Sequence, residues 1–175
     1  MKYRTLAKTD VKVSEIGFGV WTISAGWWGE YTDDQVCDLL RRAFDLGVTF
    51  FDTGDTYGNG RGETILARAF GHRRADIVIG TKFGYDFYSD PDGRRGQRER
   101  PQDFSPTFVR FALEQSLKRL EADYVDLYQL HNPRLPALHD DDVWSTLDSL
   151  KSSGKIREVG VALAGAGAQR GQQRE

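Results

Sequence analysis

The stretch FFDTGDTYG, Phe50 to Gly58, carries an apolar run straight into Asp52, then a second acid, Asp55, and a phenol, Tyr57. Further along stand Lys82, in IGTKFG, and His131, in VDLYQLHNPR. A carboxylate, a phenol, an ammonium and an imidazole in one pocket make a proton-transfer set for a carbonyl oxygen. An unperturbed phenol titrates near pH 10 and is a weak acid at neutral pH. A nearby lysine ammonium stabilises the phenolate and lowers that value. A drop of about 3 units needs roughly 4 kcal/mol of differential interaction. Asp52 would hold the Lys82 ammonium in place, and Tyr57 would be the general acid. His131 would orient the carbonyl as a second hydrogen-bond donor. No side chain donates a hydride, so reduction by this set requires a cofactor.

Repeated strand–helix units must position these residues. MKYRTLAKTDVKVSEIGFG opens with two short runs, Lys2–Leu6 and Val11–Val13, which read as a hairpin; Ile16–Val20 reads as a buried strand. Thr32 with Gln35 three residues on forms a capping box. The following Val36, Leu39, Leu40, Ala43 and Phe44 share one helical face, and Gly47 suits the residue that ends that helix. A strand at Val48–Phe51 follows. Ile65, Leu66, Ala69 and Phe70 mark a short helix, and Ile77–Gly80 a strand. Ser105-Pro106 is an N-cap with proline at the first helical position, and Val109, Ala112, Leu113, Leu117 and Leu120 give that helix its inner face. Val125–Leu130 is a strand. Val143, Trp144, Leu147 and Leu150 mark a helix that ends near Gly154, and Val159–Ala162 is the last strand.

This alternation, with nearly continuous apolar strands, predicts a parallel sheet covered by helices. Periodicity alone leaves a doubly wound sheet and a (β/α)8 barrel open. The polar residues favour the barrel. Trp21, Asp52, Lys82 and His131 fall just past the ends of successive strands, with Tyr57 in the loop beyond Asp52. In a barrel those ends converge on one face, whereas in an open sheet they would be strung along an edge.

Four motifs, FFDTGDTYGNG, IGTKFG, VDLYQLHNPR and GKIREVGVA, stand in order at suitable spacing. With them the chain resembles the aldo-keto reductase family from about Tyr3 to Ala162. The resemblance implies an NADPH-dependent (β/α)8 barrel that reduces aldehydes and ketones. It implies a catalytic tetrad of Asp52, Tyr57, Lys82 and His131, with Tyr57 the proton donor. It also implies that Asp52 and the backbone around Val20 and Trp21 lie near the nicotinamide ribose. The expected partner is a small-molecule carbonyl substrate.

The sequence departs from the family pattern at its end. About five strands of eight can be counted, so the barrel is expected to be incomplete, a partial domain over residues 1–163. Ala162-Leu163 stand where many family members have Ser-Asn. Beyond them AGAGAQRGQQRE has no apolar period, and residues 164–175 read as a disordered tail. A reading frame truncated or shifted near Leu163 would account for both features. The exposed barrel edges would then favour self-association. An inactive half-barrel that serves as a binding or oligomerising protein is the alternative function.

Composition excludes other classes. With 175 residues, 39% hydrophobic, the chain can fill one core. A net charge of −2 gives no footprint for nucleic acid and no polybasic membrane segment. No apolar leader opens the chain and no window reaches the roughly 18 apolar residues of a membrane span, so a cytoplasmic protein is expected. No metal site is expected. Cys37, the single cysteine, sits inside a helix pattern and reads as inert. Trp27 and Trp28 could wall a pocket or pack on the hairpin. Arg94, Arg95, Arg98 and Arg100 read as a solvated loop, with an anion contact as the alternative.

Overall fold

The computed structural model describes residues 1–6, 8–24, 29–91 and 100–163. Trp27, Trp28, Arg94, Arg95, Arg98 and the expected tail lie outside the described residues.

A hairpin of β1 (Tyr3–Thr5) and β2 (Lys12–Ser14) precedes a sheet of five strands. These are β3 (Gly17–Gly19), β4 (Phe50–Asp52), β5 (Val78–Phe83), β6 (Val125–His131) and β7 (Ile156–Ala162). The order in the sheet is the order in the chain, and every pairing is parallel. Right-handed crossovers that always step to the next strand put their helices on one face of the sheet. A doubly wound sheet must instead reverse its order at a switch point. The sequential order therefore decides between the two architectures left open by periodicity: the sheet is an arc of an α/β barrel, incomplete at five strands.

The main covering helices are α2 (Asp33–Asp45), α3 (Arg61–Phe70), α4 (Pro106–Leu120) and α6 (Asp141–Ser152). Three of them, α2, α4 and α6, begin on a side-chain cap. The Thr32 hydroxyl accepts from Gln35 N–H at 3.3 Å, and the Gln35 side chain accepts from Thr32 N–H at 2.9 Å. The Ser105 hydroxyl accepts from Phe108 N–H, with Pro106 opening the helix. The inner face of α4, Val109, Ala112, Leu113, Leu117 and Leu120, is buried as predicted and packs on Phe83, Tyr128 and Leu130 of the strands. Cys37 is buried in α2, and burial pushes its thiol up, away from reactivity.

Two connections were not predicted: α1 (Trp21–Ser24) directly after β3, and α5 (Leu135–Leu138) after β6. A 3-10 turn over Gly71–Asp76 also links α3 to β5. The strand ends differ from the sequence reading as well. Because β5 runs on to Phe83 and β6 to His131, Lys82 and His131 are strand residues, not residues just past the ends. The cause is Thr81, Lys82 and Phe83: their backbone continues to pair with Tyr128, Gln129 and Leu130 although the apolar run has ended.

The hairpin covers the opposite end of the sheet. Val11 and Val13 pack with Val78 and Phe50, and Thr49 N–H donates to the Ser14 hydroxyl at 2.9 Å. Asp126, 1% exposed, ties three strands together there. It accepts from Ile79 N–H at 2.9 Å, Arg74 Nη2 at 2.7 Å and Arg157 Nη1 at 3.0 Å.

Candidate active site

β4 ends on Asp52, but the chain keeps the ladder going past it. Thr53 N–H donates to Gly80 O at 2.8 Å, and Asp55 N–H to Lys82 O at 3.3 Å. The loop that carries Tyr57 is thereby fastened to β5 before it turns. Tyr57 N–H then folds back onto Gly54 O at 3.0 Å. Gly60, which precedes α3, has φ +91°, and a Cβ there would stand 2.5 Å from Cδ of Arg119. Only glycine meets both conditions without strain.

Lys82 reaches this loop from β5 with its side chain 7% exposed. Its Nζ donates to Asp52 Oδ1 at 2.6 Å and to Thr53 O at 2.6 Å. The same Nζ lies 4.9 Å from the centroid of the Tyr57 ring. Gln129, paired with Lys82 across the β5–β6 ladder, approaches Asp52 Oδ2 at 3.5 Å. His131 closes β6. Its imidazole meets Tyr57 edge-on at 5.6 Å and Tyr85 at 4.9 Å. Gln102 Nε2 donates to both His131 O and Asn132 O at 3.0 Å, which pins the strand end. Asp52, Tyr57, Lys82 and His131, read from four places in the sequence, are thus brought together at one end of the sheet.

The electrostatics depart from the sequence reading at Tyr57. Lys82 was expected to lower the phenol. Instead burial, followed by the Asp52 charge, pushes it up. The ammonium is aimed at Asp52 and Thr53 O and meets the ring, so its charge is largely balanced before the phenol feels it. Burial lowers Lys82 from its ordinary value, against the opposing pull of Asp52. His131 is lowered to about 4 by burial and by the Lys82 charge. It is therefore neutral at neutral pH and has one ring N–H to offer. Its Nδ1 is buried without a hydrogen-bond partner.

A second layer under the loop escaped the sequence reading. Glu63, fully buried in α3, accepts from Thr81 Oγ1 at 2.5 Å and from Arg119 Nε at 2.7 Å. Arg119 also donates to the Tyr88 hydroxyl at 3.0 Å. The signal was an acid on the buried stripe of α3, three residues before Leu66. Its partner lies 56 residues away, beyond the reach of any local pattern.

Of the three residues expected near a nicotinamide ribose, Asp52 and Trp21 are accessible. The Asp52 side chain is 37% exposed, so its outer oxygen can accept from a sugar hydroxyl. Trp21 is 39% exposed, with its ring 6.5 Å from that of Tyr57. Val20 is fully buried; its N–H is engaged with Asp52 O and its carbonyl with Ser24 N–H. Val20 therefore positions Asp52 from within the fold. Arg100, expected in a solvated loop, donates to Asp90 O at 3.1 Å and Asn59 Oδ1 at 2.9 Å. Among the described residues, no cluster of three or more His, Cys, Asp or Glu is placed to hold a metal ion, and no helix is long and apolar enough to cross a membrane.

Comparison with known proteins agrees with this fold. The sequence model of the Aldo/keto reductase family matches residues 15–169. The aldo-keto reductase YhdN of Bacillus subtilis is 33% identical over 164 residues, which cover 93% of this chain and 47% of that protein. The NADH-specific methylglyoxal reductase of Escherichia coli is 32% identical over 169 residues, covering 93% of this chain and 52% of that protein. Among solved structures, an aldo-keto reductase of Bacillus halodurans in its holo form superposes with a TM-score of 0.81 at 30% identity. That match covers 98% of this chain and 53% of the other. The chain spans about half the length of the curated relatives it matches.

Proposed function

Because the chain belongs to the aldo/keto reductase family, we propose that it carries the proton-transfer half of an NADPH-dependent oxidoreductase that reduces aldehyde or ketone carbonyls. One observation supports this most: Lys82 Nζ lies 2.6 Å from Asp52 and 4.9 Å from the Tyr57 ring, with His131 5.6 Å beyond that ring. An acid, a cation and a neutral hydrogen-bond donor thus surround one phenol. The acting unit is the partial barrel over residues 1–163, and its partner is a small-molecule carbonyl compound.

The residues present fit the nicotinamide–ribose end of the cofactor. Asp52 has an outward oxygen for a sugar hydroxyl and Trp21 an exposed ring beside Tyr57. When bound, that cofactor supplies the hydride. Tyr57 gives its proton to the carbonyl oxygen. Burial keeps the proton on the phenol at neutral pH, so the resting form is the acid form. Asp52 and Thr53 O hold the Lys82 ammonium against the ring, so the phenolate left by the transfer faces a cation whose charge Asp52 already partly balances. His131, neutral, donates a hydrogen bond to the same carbonyl oxygen. The buried setting of Lys82 and Tyr57 strengthens each of these interactions relative to water.

The test is a fluorescence titration with NADPH, repeated with NADH, followed by carbonyl turnover. Cofactor binding with turnover that disappears in Tyr57→Phe, at unchanged cofactor affinity, is the expected result. Retained turnover in Tyr57→Phe removes the phenol from its role. No binding at millimolar cofactor leaves the site without a hydride source and turns the reading toward a non-catalytic binding protein.

A further inference from the structure

Asp55 lies between two ion pairs and belongs to neither. On one side Asp52 pairs with Lys82 at 2.6 Å; on the other Glu63 pairs with Arg119 at 2.7 Å. The Asp55 backbone N–H is fastened to Lys82 O, and its side chain is 0% exposed. Neither carboxyl oxygen has a well-formed hydrogen bond; only the Thr56 N–H leans toward it. The cluster therefore holds three carboxyl groups against two cations, and both cations are committed elsewhere.

A buried carboxylate without donors is expensive, whereas a buried neutral acid forgoes only a hydrogen bond. We propose that Asp55 stands protonated at neutral pH, as an uncharged spacer between the Asp52–Lys82 pair and the Glu63–Arg119 pair, and positions the proton-transfer site by withholding a charge from it. The groups that face Asp55 bear on this from every side. Glu63 from α3 repels a charge there, and burial acts in the same direction more strongly; Arg119 from α4 and Lys82 from β5 oppose them. Tyr57 in its own loop, Tyr88 after β5 and Tyr128 in β6 would each feel its ionisation. Proton donation from Tyr57 leaves a phenolate. With Asp55 neutral, that phenolate is the one uncompensated negative charge in the cluster; with Asp55 ionised, it would be the second. This consequence rests on the proposed reductase reading, but the protonation state does not.

The experiment therefore reads protonation directly and needs no cofactor. Thermal midpoints of the wild type and Asp55→Asn are compared from pH 4 to pH 8. A carboxyl raised above its unfolded value contributes stability that is full below that value and is lost as pH rises. The wild type should fall behind Asp55→Asn by about 3 °C or more over this range. A pH-independent gap, or a wild type that gains on the variant, overturns the proposal. Should Asp55→Asn fail to fold, a carbon-13 carboxyl titration of the aspartate-labelled wild type, correlated to the Asp55 backbone, decides. A resonance that keeps its protonated shift through pH 7 supports the spacer, and one that titrates near pH 4 sinks it. Failure of turnover with a protonated Asp55 would count against the reductase reading alone.

Discussion

Lys82 and Asp52 are 2.6 Å apart, yet their exposures differ: 7% for the lysine side chain and 37% for the aspartate. Water can solvate the carboxylate if its partner is removed, but it cannot reach the ammonium as easily. Lys82→Met should therefore lower stability little while reducing turnover at least about 100-fold, the scale of a lost proton-transfer partner. Asp52→Asn should lower stability more, by about 2 kcal/mol, which is the cost of stranding a buried charge discounted for the exposed partner. Urea denaturation of both variants checks the order. Equal losses would mean that the pair is solvated evenly.

Glu63 and Arg119 form the more deeply buried pair, with side chains 0% and 18% exposed. Removing one member strands the other. Arg119→Met should cost about 3–5 kcal/mol. The double variant Arg119→Met with Glu63→Gln should recover part of that loss, because no charge remains buried. A double-mutant cycle by denaturant unfolding measures the coupling. A double variant no more stable than Arg119→Met alone would contradict this account.

Gly60 links that pair to the Tyr57 loop. Its φ of +91° and the stem of Arg119, 2.5 Å from a notional Cβ, both act against a side chain. Gly60→Ala should destabilise by about 2 kcal/mol, the left-handed penalty with added crowding. For a domain of this size that is roughly 4–8 °C in Tm. An unchanged midpoint would show that the arginine stem moves aside freely.

These pairs also mark what was legible in the sequence. The capping box at Thr32 and Gln35, the Ser105-Pro106 helix start and the inner face of α4 are local patterns, and all formed as read. The grouping of Asp52, Tyr57, Lys82 and His131 was readable because each sits at a strand end or in the adjoining loop, where topology alone brings them together. The Glu63–Arg119 pair and the Asp126 clamp were not, since each needs partners 31 or more residues away. The direction at Tyr57 was misread for a related reason. A neighbouring lysine was visible in the sequence pattern; the depth of the pocket and the carboxylate that already held that lysine were not.

His131 gives the last prediction. Burial and the Lys82 charge bring its imidazole to about 4 in the fold, against roughly 6.5 in an unfolded chain. The folded protein holds a neutral ring that the unfolded chain would protonate below that value. Stability tied to this residue is therefore full above about pH 6.5 and is lost as pH falls toward 4, by about 3 kcal/mol in all. His131→Gln has no such proton to bind, so its stability should fall less steeply over the same range. Urea unfolding at pH 7.5 and pH 4.5 for both proteins measures the difference. Parallel losses in the two would place the acid sensitivity in the carboxylates instead of the imidazole.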